Sequence, residues 1–211
     1  MTTFRSMNRG ALAAASALTA ALLLAACGSS PDEKAPGEAH GGGHAGEKGA
    51  GKSGKSGNAA DVSFAQGMIP HHRQALEMAE LSPSRASSRK VKSFADDVWK
   101  AQDPEIKTMT GWLKAWDEKV PDGTSGGHSA HSGHSMPGMM TSDDMAKLKD
   151  TSGKKFDREF LKLMIEHHEG AVKMARTEAE KGSYGPAKRM ARNIERAQTA
   201  EITYMRRLLK K

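Results

Sequence analysis

Cysteine is almost absent from this sequence, which has a single one, Cys27, among 211 residues. One cysteine forms no internal disulfide and builds none of the thiolate clusters that hold structural zinc or iron–sulfur centres. The fold must therefore be stabilised by packing of apolar side chains. Any metal site must use imidazole, thioether or carboxylate ligands.

The position of this cysteine predicts a role for it. Arg5 and Arg9 precede an apolar run at residues 11–26, which is too short to span a bilayer and is typical of a secretory signal. The run ends in Leu24-Ala25-Ala26-Cys27, which resembles a bacterial lipobox. We therefore predict that residues 1–26 are a cleaved signal peptide and that lipidated Cys27 anchors an extracytoplasmic protein to the membrane.

Aromatic residues are also few, at 5% of the sequence, and the basic excess is not clustered. Loss of Arg5 and Arg9 with the signal would lower the formal net charge from +7 to +5. Lysines are scattered along predicted helix faces, so the charge indicates a solvated surface. Export and the scarcity of aromatics argue against a nucleic-acid partner.

Strand-like alternation is absent, whereas apolar residues with a helical period fill most of the chain after residue 60. Two stretches rich in Gly and Ser predict a disordered tether at residues 27–60 and a His- and Met-rich loop at residues 121–141. The prediction is an all-α domain over residues 61–211, an antiparallel four-helix bundle. The expected helices run from Asp61 (the N-cap) to Leu81, from Ser84 to Lys119, over residues 142–150, from Lys154 to Lys181 and from Pro186 to the C-terminus.

An internal repeat supports this architecture. Residues 61–120 form one copy and residues 142–211 the other, and each matched position recurs 96 residues later, as Phe64 does at Phe160. An offset without gaps over two helices indicates two tandem helical hairpins. In the first helix Phe64, Met68, Ile69, His71, His72, Ala75, Met78 and Ala79 recur as Phe160, Met164, Ile165, His167, His168, Ala171, Met174 and Ala175. In the second helix Ala95, Ala101, Gln102, Glu105, Ile106, Met109 and Leu113 recur as Ala191, Ala197, Gln198, Glu201, Ile202, Met205 and Leu209.

The repeated histidines fall on the face of the helix that must be buried. At about 100° per residue, Phe64, Met68, His71, Ala75 and Met78 lie within a sector of about 80°. Buried polar groups are costly unless they are paired or bound to a ligand. Two readings stay open: a core hydrogen-bond network of His71 and His167 with the glutamines or glutamates, or a metal site.

Methionine chemistry indicates which metal such a site would take. Di-iron bundles carry Glu three residues before His, but here Met68 precedes His71 and Met164 precedes His167. Thioether and imidazole donors favour copper, and Cu(I) in particular. The loop adds a second set of soft donors, which is typical of metal-scavenging tracts. The predicted bundle ligands are Met68, His71, His72, Met78, Met164, His167, His168 and Met174, and the predicted loop ligands are His128, His131, His134, Met136, Met139 and Met140. Gln102, Glu105, Met109, Gln198, Glu201 and Met205 are predicted to support them.

The pattern Met-Ile-x-His-His-x-x-Ala-x-x-Met-Ala, followed on the next helix by Ala-Gln-x-x-Glu-Ile-x-x-Met, is similar to the secreted bacterial domain-of-unknown-function family 305. It is present twice, from Met68 and from Met164, so the resemblance covers about residues 60–211. The resemblance implies a ferritin-like helical fold and, for some members, an association with copper. The pattern continues with Trp-Leu, as in Trp112-Leu113, and Leu208 replaces this Trp in the second copy. Pro70 interrupts the first motif, which places the regularity of the first site in doubt.

These observations predict a non-enzymatic copper-binding lipoprotein that buffers, stores or transfers copper outside the cytoplasmic membrane. The first alternative is a ferritin-like metal-dependent oxidase, for which Glu77, Glu105, Glu166, Glu169 and Glu201 are available without the expected spacing. The second alternative is a helical envelope adaptor whose polar core is purely structural.

Overall fold

The computed structural model describes residues 56–122 and 136–210, all within one compact unit, Glu47–Lys211. This part of the chain contains helices and no strand; one isolated bridge pairs Ala86 with Gly153. The all-α prediction is therefore confirmed for these residues. The signal peptide, the tether to residue 55, Cys27, and the loop histidines His128, His131 and His134 lie outside the described residues. The helices are α1 (Ala59–Glu80), α2 (Ser82–Arg85), α3 (Arg89–Ala115), α4 (Ser142–Lys149), α5 (Gly153–Lys181) and α6 (Gly185–Leu209).

The first helix begins earlier than predicted, and Asp61 is not its N-cap. Asn58 caps α1 through its side chain, which accepts hydrogen bonds from the backbone N–H groups of Ala60 and Asp61. Asp61 lies three residues after Asn58, and its carboxylate accepts a hydrogen bond from the N–H of Asn58. The two side chains together form a capping box. Both residue types are good caps, so the sequence did not distinguish them.

The second predicted helix is divided in the structure. Residues Ser82–Arg85 form the single turn α2, and α3 begins only at Arg89, where the Ser88 hydroxyl accepts from the N–H of Val91. The C-terminal end is also earlier than Lys119. Trp116 is the C-cap, and Asp117 adopts a positive φ of 59°, which turns the chain before Pro121 is reached.

The two hairpins are joined by reciprocal hydrogen bonds. Asp61 on α1 accepts from the N–H and hydroxyl of Ser183 and from the N–H of Tyr184, in the linker between α5 and α6. Asp157 on α5 occupies the equivalent position and accepts in the same way from Ser87 and Ser88, in the linker before α3. Each repeat thus satisfies backbone donors of the other repeat, which couples the two hairpins.

Packing of the long helices buries the predicted stripe. Helix α1 packs along α3 and α5 packs along α6, while α1 also contacts α5. Phe156, Phe160, Met68, Ile69 and Met164 are among the fully buried side chains. None of the helices among residues 56–122 and 136–210 is apolar over a stretch that would cross a bilayer. The helical period identified the core face correctly because burial along a helix follows its 3.6-residue repeat.

Candidate metal centre

His71 and His167 meet at the contact between α1 and α5. Their ring centroids lie 3.8 Å apart with an interplanar angle of 40°, and both side chains are buried. The repeat places these residues at equivalent positions on the two helices, so packing the equivalent faces together brings the rings into contact. This pairing could not be read from the sequence, which shows only that each histidine faces inward.

Both of these imidazoles are neutral at physiological pH. Burial, and to a lesser extent the neighbouring imidazole of His72, lowers the pKa of His71 to about 3. Burial and the adjacent ring of His71 also hold the pKa of His167 well below its usual value of 6.5. A neutral imidazole retains one unprotonated nitrogen, which is the form that binds metal ions.

The neighbouring histidines are held by glutamates from the second helix of each hairpin. The Nε2 atom of His72 lies 2.8 Å from a carboxylate oxygen of Glu105, and Nε2 of His168 lies 2.8 Å from Glu201. Both imidazoles are fully buried, whereas the glutamates are partly exposed. The equal distances show that Pro70, inside α1, leaves this pair as regular as the one in the second repeat.

Three histidines therefore share one arrangement of their ring nitrogens. Nε2 of His71 donates to the carbonyl oxygen of Pro137 at 3.2 Å, as Nε2 of His72 and His168 do to the glutamates. The Nδ1 atom of each of these rings is buried and has no hydrogen-bond partner among the described residues. Neither nitrogen of His167 has one. The predicted network linking His71 and His167 to the glutamines or glutamates is therefore wrong, since Glu105 and Glu201 engage the outer histidines instead.

Most of the methionines and glutamines predicted to bind or support the metal are buried. Met68, Met164, Met109 and Met205 are completely buried, and so is Met78. Met174, which is equivalent to Met78, is only partly buried, so the two copies differ here. Gln102 and Gln198 are buried with a side-chain oxygen that has no partner among the described residues.

The end of the predicted loop, which we call the strap (Met136–Met140), is not free. The side chain of Gln74 accepts from the N–H of Met140 and donates to its carbonyl oxygen, at 2.7 and 2.9 Å. Met140 itself is buried in the core and is not part of a free loop, while its role as a metal ligand stays a prediction. Met136 and Met139 are partly buried. The strap crosses α1 and α5 and brings the Pro137 carbonyl to His71.

A glycine on α5 makes room for the strap. A Cβ atom at Gly170 would overlap the carbonyl oxygen of Pro137 and lie 2.8 Å from Cα of Gly138. Gln74 and Gly170 occupy the same position in the two repeats. In the first copy the side chain of Gln74 forms hydrogen bonds with the strap, and in the second copy Gly170 leaves space for it. Neither residue was predicted from the sequence. The signal that could have identified them is a position inside the repeat where the two copies carry different residue types, Gln and Gly.

The buried histidines and the glutamates beside them do not form a ready-made cluster of ligands. No three His, Cys, Asp or Glu side chains among residues 56–122 and 136–210 come together as a group that would hold a metal ion. A site that combines imidazole nitrogen with thioether sulfur, as the methionine spacing predicts, stays a prediction.

Comparison with known proteins places this arrangement in a family. The model described as a domain of unknown function, DUF305, matches residues 61–209. The chain belongs to the DUF305 family. No curated protein matches it. The crystal structure of a DUF305 protein from Streptomyces coelicolor is 36% identical, with a TM-score of 0.64, and the match covers 72% of this chain and 92% of that one.

Two further solved structures are similar to this DUF305 chain. A DUF305 fragment from Deinococcus radiodurans is 31% identical with a TM-score of 0.64, covering 74% of this chain and 98% of the fragment. CopM in its Cu(I)-bound form is 30% identical with a TM-score of 0.59, covering 71% of this chain and 95% of CopM. CopM has also been solved with Cu(II) and with silver.

Proposed function

We propose that this DUF305 protein binds copper, with Cu(I) as the favoured state, and buffers, stores or transfers it outside the cytoplasmic membrane. The proposal includes an antiparallel four-helix, ferritin-like bundle anchored through lipidated Cys27. The Streptomyces coelicolor relative is provisionally described as secreted, which supports an extracytoplasmic location. Copper is the cargo here, and its ligands come from the buried imidazoles and thioethers.

One observation supports the proposal most directly. In His71, His72 and His168, Nε2 contacts an acceptor, whereas the buried Nδ1 has no hydrogen-bond partner among the described residues. Metal-binding histidines commonly donate their other N–H to a carboxylate or a backbone carbonyl, which fixes the tautomer and the ring orientation. His72 and His168 have the carboxylate, and His71 has the carbonyl of Pro137. A buried polar atom without a partner costs about 1–3 kcal/mol. A bound ion would offset this cost at each ring.

The surrounding donors favour a soft ion. Met68 and Met164 each precede a central histidine by one helical turn and are completely buried. Thioether sulfur prefers Cu(I) over the harder Mg²⁺, Ca²⁺ or Mn²⁺. The relative CopM, solved with Cu(I), Cu(II) and silver, supports this choice of ion.

The oxidase alternative lacks the carboxylates it needs. Glu105 and Glu201 are partly exposed, and each contacts the Nε2 atom of an outer histidine, His72 or His168. Di-iron bundles instead use glutamates from four helices as direct ligands. The adaptor alternative, a purely structural polar core, leaves the unpaired Nδ1 atoms without an explanation.

Competition for Cu(I) tests the proposal. The chain from residue 28 onward, a His71→Ala/His167→Ala variant and a variant lacking residues 123–135 would each be titrated against a Cu(I) chelator of known affinity. This deletion keeps the strap, whereas removal of residues 121–141 would also break its contacts with Gln74 and His71. We expect the double-alanine variant to lose the tightest copper and the deletion variant to retain it.

Three results would count against the proposal. If the parent chain fails to compete with a weak Cu(I) chelator, copper binding is excluded. Loss of copper with the deletion alone would make the bundle histidines structural. Oxygen consumption on addition of Fe(II) would support the oxidase. Far-ultraviolet circular dichroism of each variant checks that the helices remain folded.

A further inference from the structure

A groove opens on the surface of the domain beside the buried histidines. Its volume is about 570 Å³, and α1, α5 and the strap form its walls. Phe64 and Gly67 lie on the α1 side, Met174 on the α5 side, and Met136 and Pro137 on the strap. Pro137 therefore borders the groove and also accepts the hydrogen bond of His71. Pro137 is thus shared by the groove and the centre.

The side chains of two methionines lie over the same glycine in this groove. A Cβ atom placed on Gly67 would lie 3.8 Å from Sδ of Met136 and 3.5 Å from Cε of Met174. The position equivalent to Gly67 in the second repeat is Leu163, which is buried. A leucine at position 67 would occupy the space that the two methionines share. The glycine thus opens a recess that the other copy of the repeat does not have.

The internal repeat also shows that Met174 is in an unusual place. Its equivalent, Met78, is completely buried in the core, as a methionine that only fills space would be. Met174 instead lines the groove and stays partly accessible. The partner sulfur comes from the strap, which the other side chains hold in place: Gln74 clasps it at Met140, and Gly170 lets Pro137 approach α5.

The geometry points to a separate soft-metal site in which the thioethers of Met136 and Met174 receive a monovalent ion at the surface, before it reaches the buried imidazoles. This inference rests on the proposed copper binding and adds an entry site to it. Two thioethers select soft ions such as Cu(I) and Ag(I) over hard divalent cations, and the carboxyl group of Glu178, which also lines the groove, is almost completely buried. An open recess lets the ion exchange, whereas the buried imidazoles would hold it.

Ag(I) is a suitable probe because it is soft and monovalent and stays in one oxidation state under the conditions used. The chain from residue 28 onward, with its methionine methyl groups labelled with ¹³C, would be titrated with Ag(I) and followed by NMR. We expect the methyl signals of Met136 and Met174 to shift together as silver is added, while the signal of Met145 stays in place. Met145 is a buried methionine that is not among the predicted ligands, so it serves as the internal control.

The decisive variant is Gly67→Leu, which copies the second repeat and removes no sulfur. It is expected to fold, because leucine favours a helix more than glycine does and only the ends of flexible side chains lie within 4 Å. The variant should weaken silver binding at Met136 and Met174 by about tenfold or more, the range over which groups supporting a metal site act. Met174→Leu should have the same effect, and Met145→Leu, which changes a buried methionine outside every predicted ligand set, should not.

The outcomes separate this inference from the proposed function. Unchanged shifts of Met136 and Met174 in Gly67→Leu would overturn the groove site, and so would an equal shift of the control Met145. If histidine variants lose copper while the groove methyl signals never move, the groove site fails and copper binding stands. A parent chain that binds neither ion would contradict both.

Discussion

His71 of α1 and His167 of α5 lie with their ring centroids 3.8 Å apart, in the middle of the interface between the two repeats. Each comes from the same position of a duplicated hairpin, so the pair stands where the two copies meet. No partner among the described residues satisfies Nδ1 of either ring. The contact is the structural relationship around which the other polar groups of the domain are arranged.

The first prediction concerns the acid stability of the metal-free domain. His71 and His167 have a lowered pKa when folded, so below pH 6.5 the unfolded chain binds more protons than the folded one. The free energy of unfolding should fall as the pH decreases from 6.5 toward 3. For His71 alone the loss over that window is on the order of 4 kcal/mol.

Urea unfolding of the parent chain and of His71→Gln/His167→Gln, at pH 7.5 and pH 5, measures this effect. The difference between the two proteins cancels the titration of groups that they share. The double variant should be less sensitive to acid. Equal pH dependence in the two proteins would show that the histidines titrate normally in the fold.

The second prediction concerns the glutamates that hold the outer histidines. Glu105→Ala and Glu201→Ala should each lower copper affinity by about 10- to 100-fold, since loss of such a partner frees the tautomer and the orientation of the ring. Because the two contacts have the same length, the effects should be similar. Chelator competition measures the loss, and Glu195, which is partly exposed to a similar extent and pairs with Arg176 instead of a histidine, provides a control as Glu195→Ala. A large effect at only one glutamate would mean that only one repeat binds the ion.

The third prediction concerns a buried carboxyl group where the two copies differ. Glu178 stands where the first repeat has Ser82, and it is 1% exposed. Burial and the neighbouring carboxylate of Asp61 raise the pKa of Glu178 to about 8, against a smaller lowering effect of Lys188. Burial also acts to raise the pKa of Asp61, but its hydrogen bonds together keep that pKa below its ordinary value. At neutral pH Glu178 therefore carries the proton.

Because the pKa of Glu178 is raised on folding, its contribution to stability is complete below pH 4.5 and is lost as the pH rises through about 8. Glu178→Ser, which copies the first repeat, should remove a decline on the order of 2 kcal/mol between pH 5 and pH 8. Thermal unfolding across this range measures it. A parent chain whose stability does not fall relative to the variant would contradict the raised pKa.

The fourth prediction concerns the strap. Gly170→Ala would place a Cβ atom against the carbonyl group of Pro137, which is backbone and has little freedom to move. The variant should lose about 1–3 kcal/mol of stability through overpacking. It should also release the strap, so the amide of Met140, which donates to Gln74, should exchange with solvent faster.

Gly111→Ala is the matched control for this prediction. Gly111 lies inside α3 with no atom within 4 Å of an added Cβ, so alanine there should stabilise the domain by about 0.5–1 kcal/mol. Hydrogen exchange and urea unfolding of both variants separate the strap effect from a general glycine effect. Protection of the Met140 amide that survives Gly170→Ala would show that the strap does not depend on this close approach.

The helix predictions show how far local patterns reach. The long segments were identified because apolar residues recur with the helical period, and α4 and α5 agree with the predicted ranges to within one residue. The start of α1 and the division between α2 and α3 were predicted wrongly. Caps depend on which side chain reaches a free N–H group, and Asn58 and Asp61 are chemically similar candidates.

The sequence by itself determined the duplication, the helical class and the inward position of His71 and His167, because each of these follows from periodicity along one element. Only the tertiary structure decided which groups meet: His71 with His167, His72 with Glu105, and the Pro137 carbonyl with His71. Such contacts join residues 33 to 96 positions apart, and their distances depend on how whole helices pack. Spacing within one helix carries no information about that packing, so the contacts of the strap and the groove appear only in the folded chain.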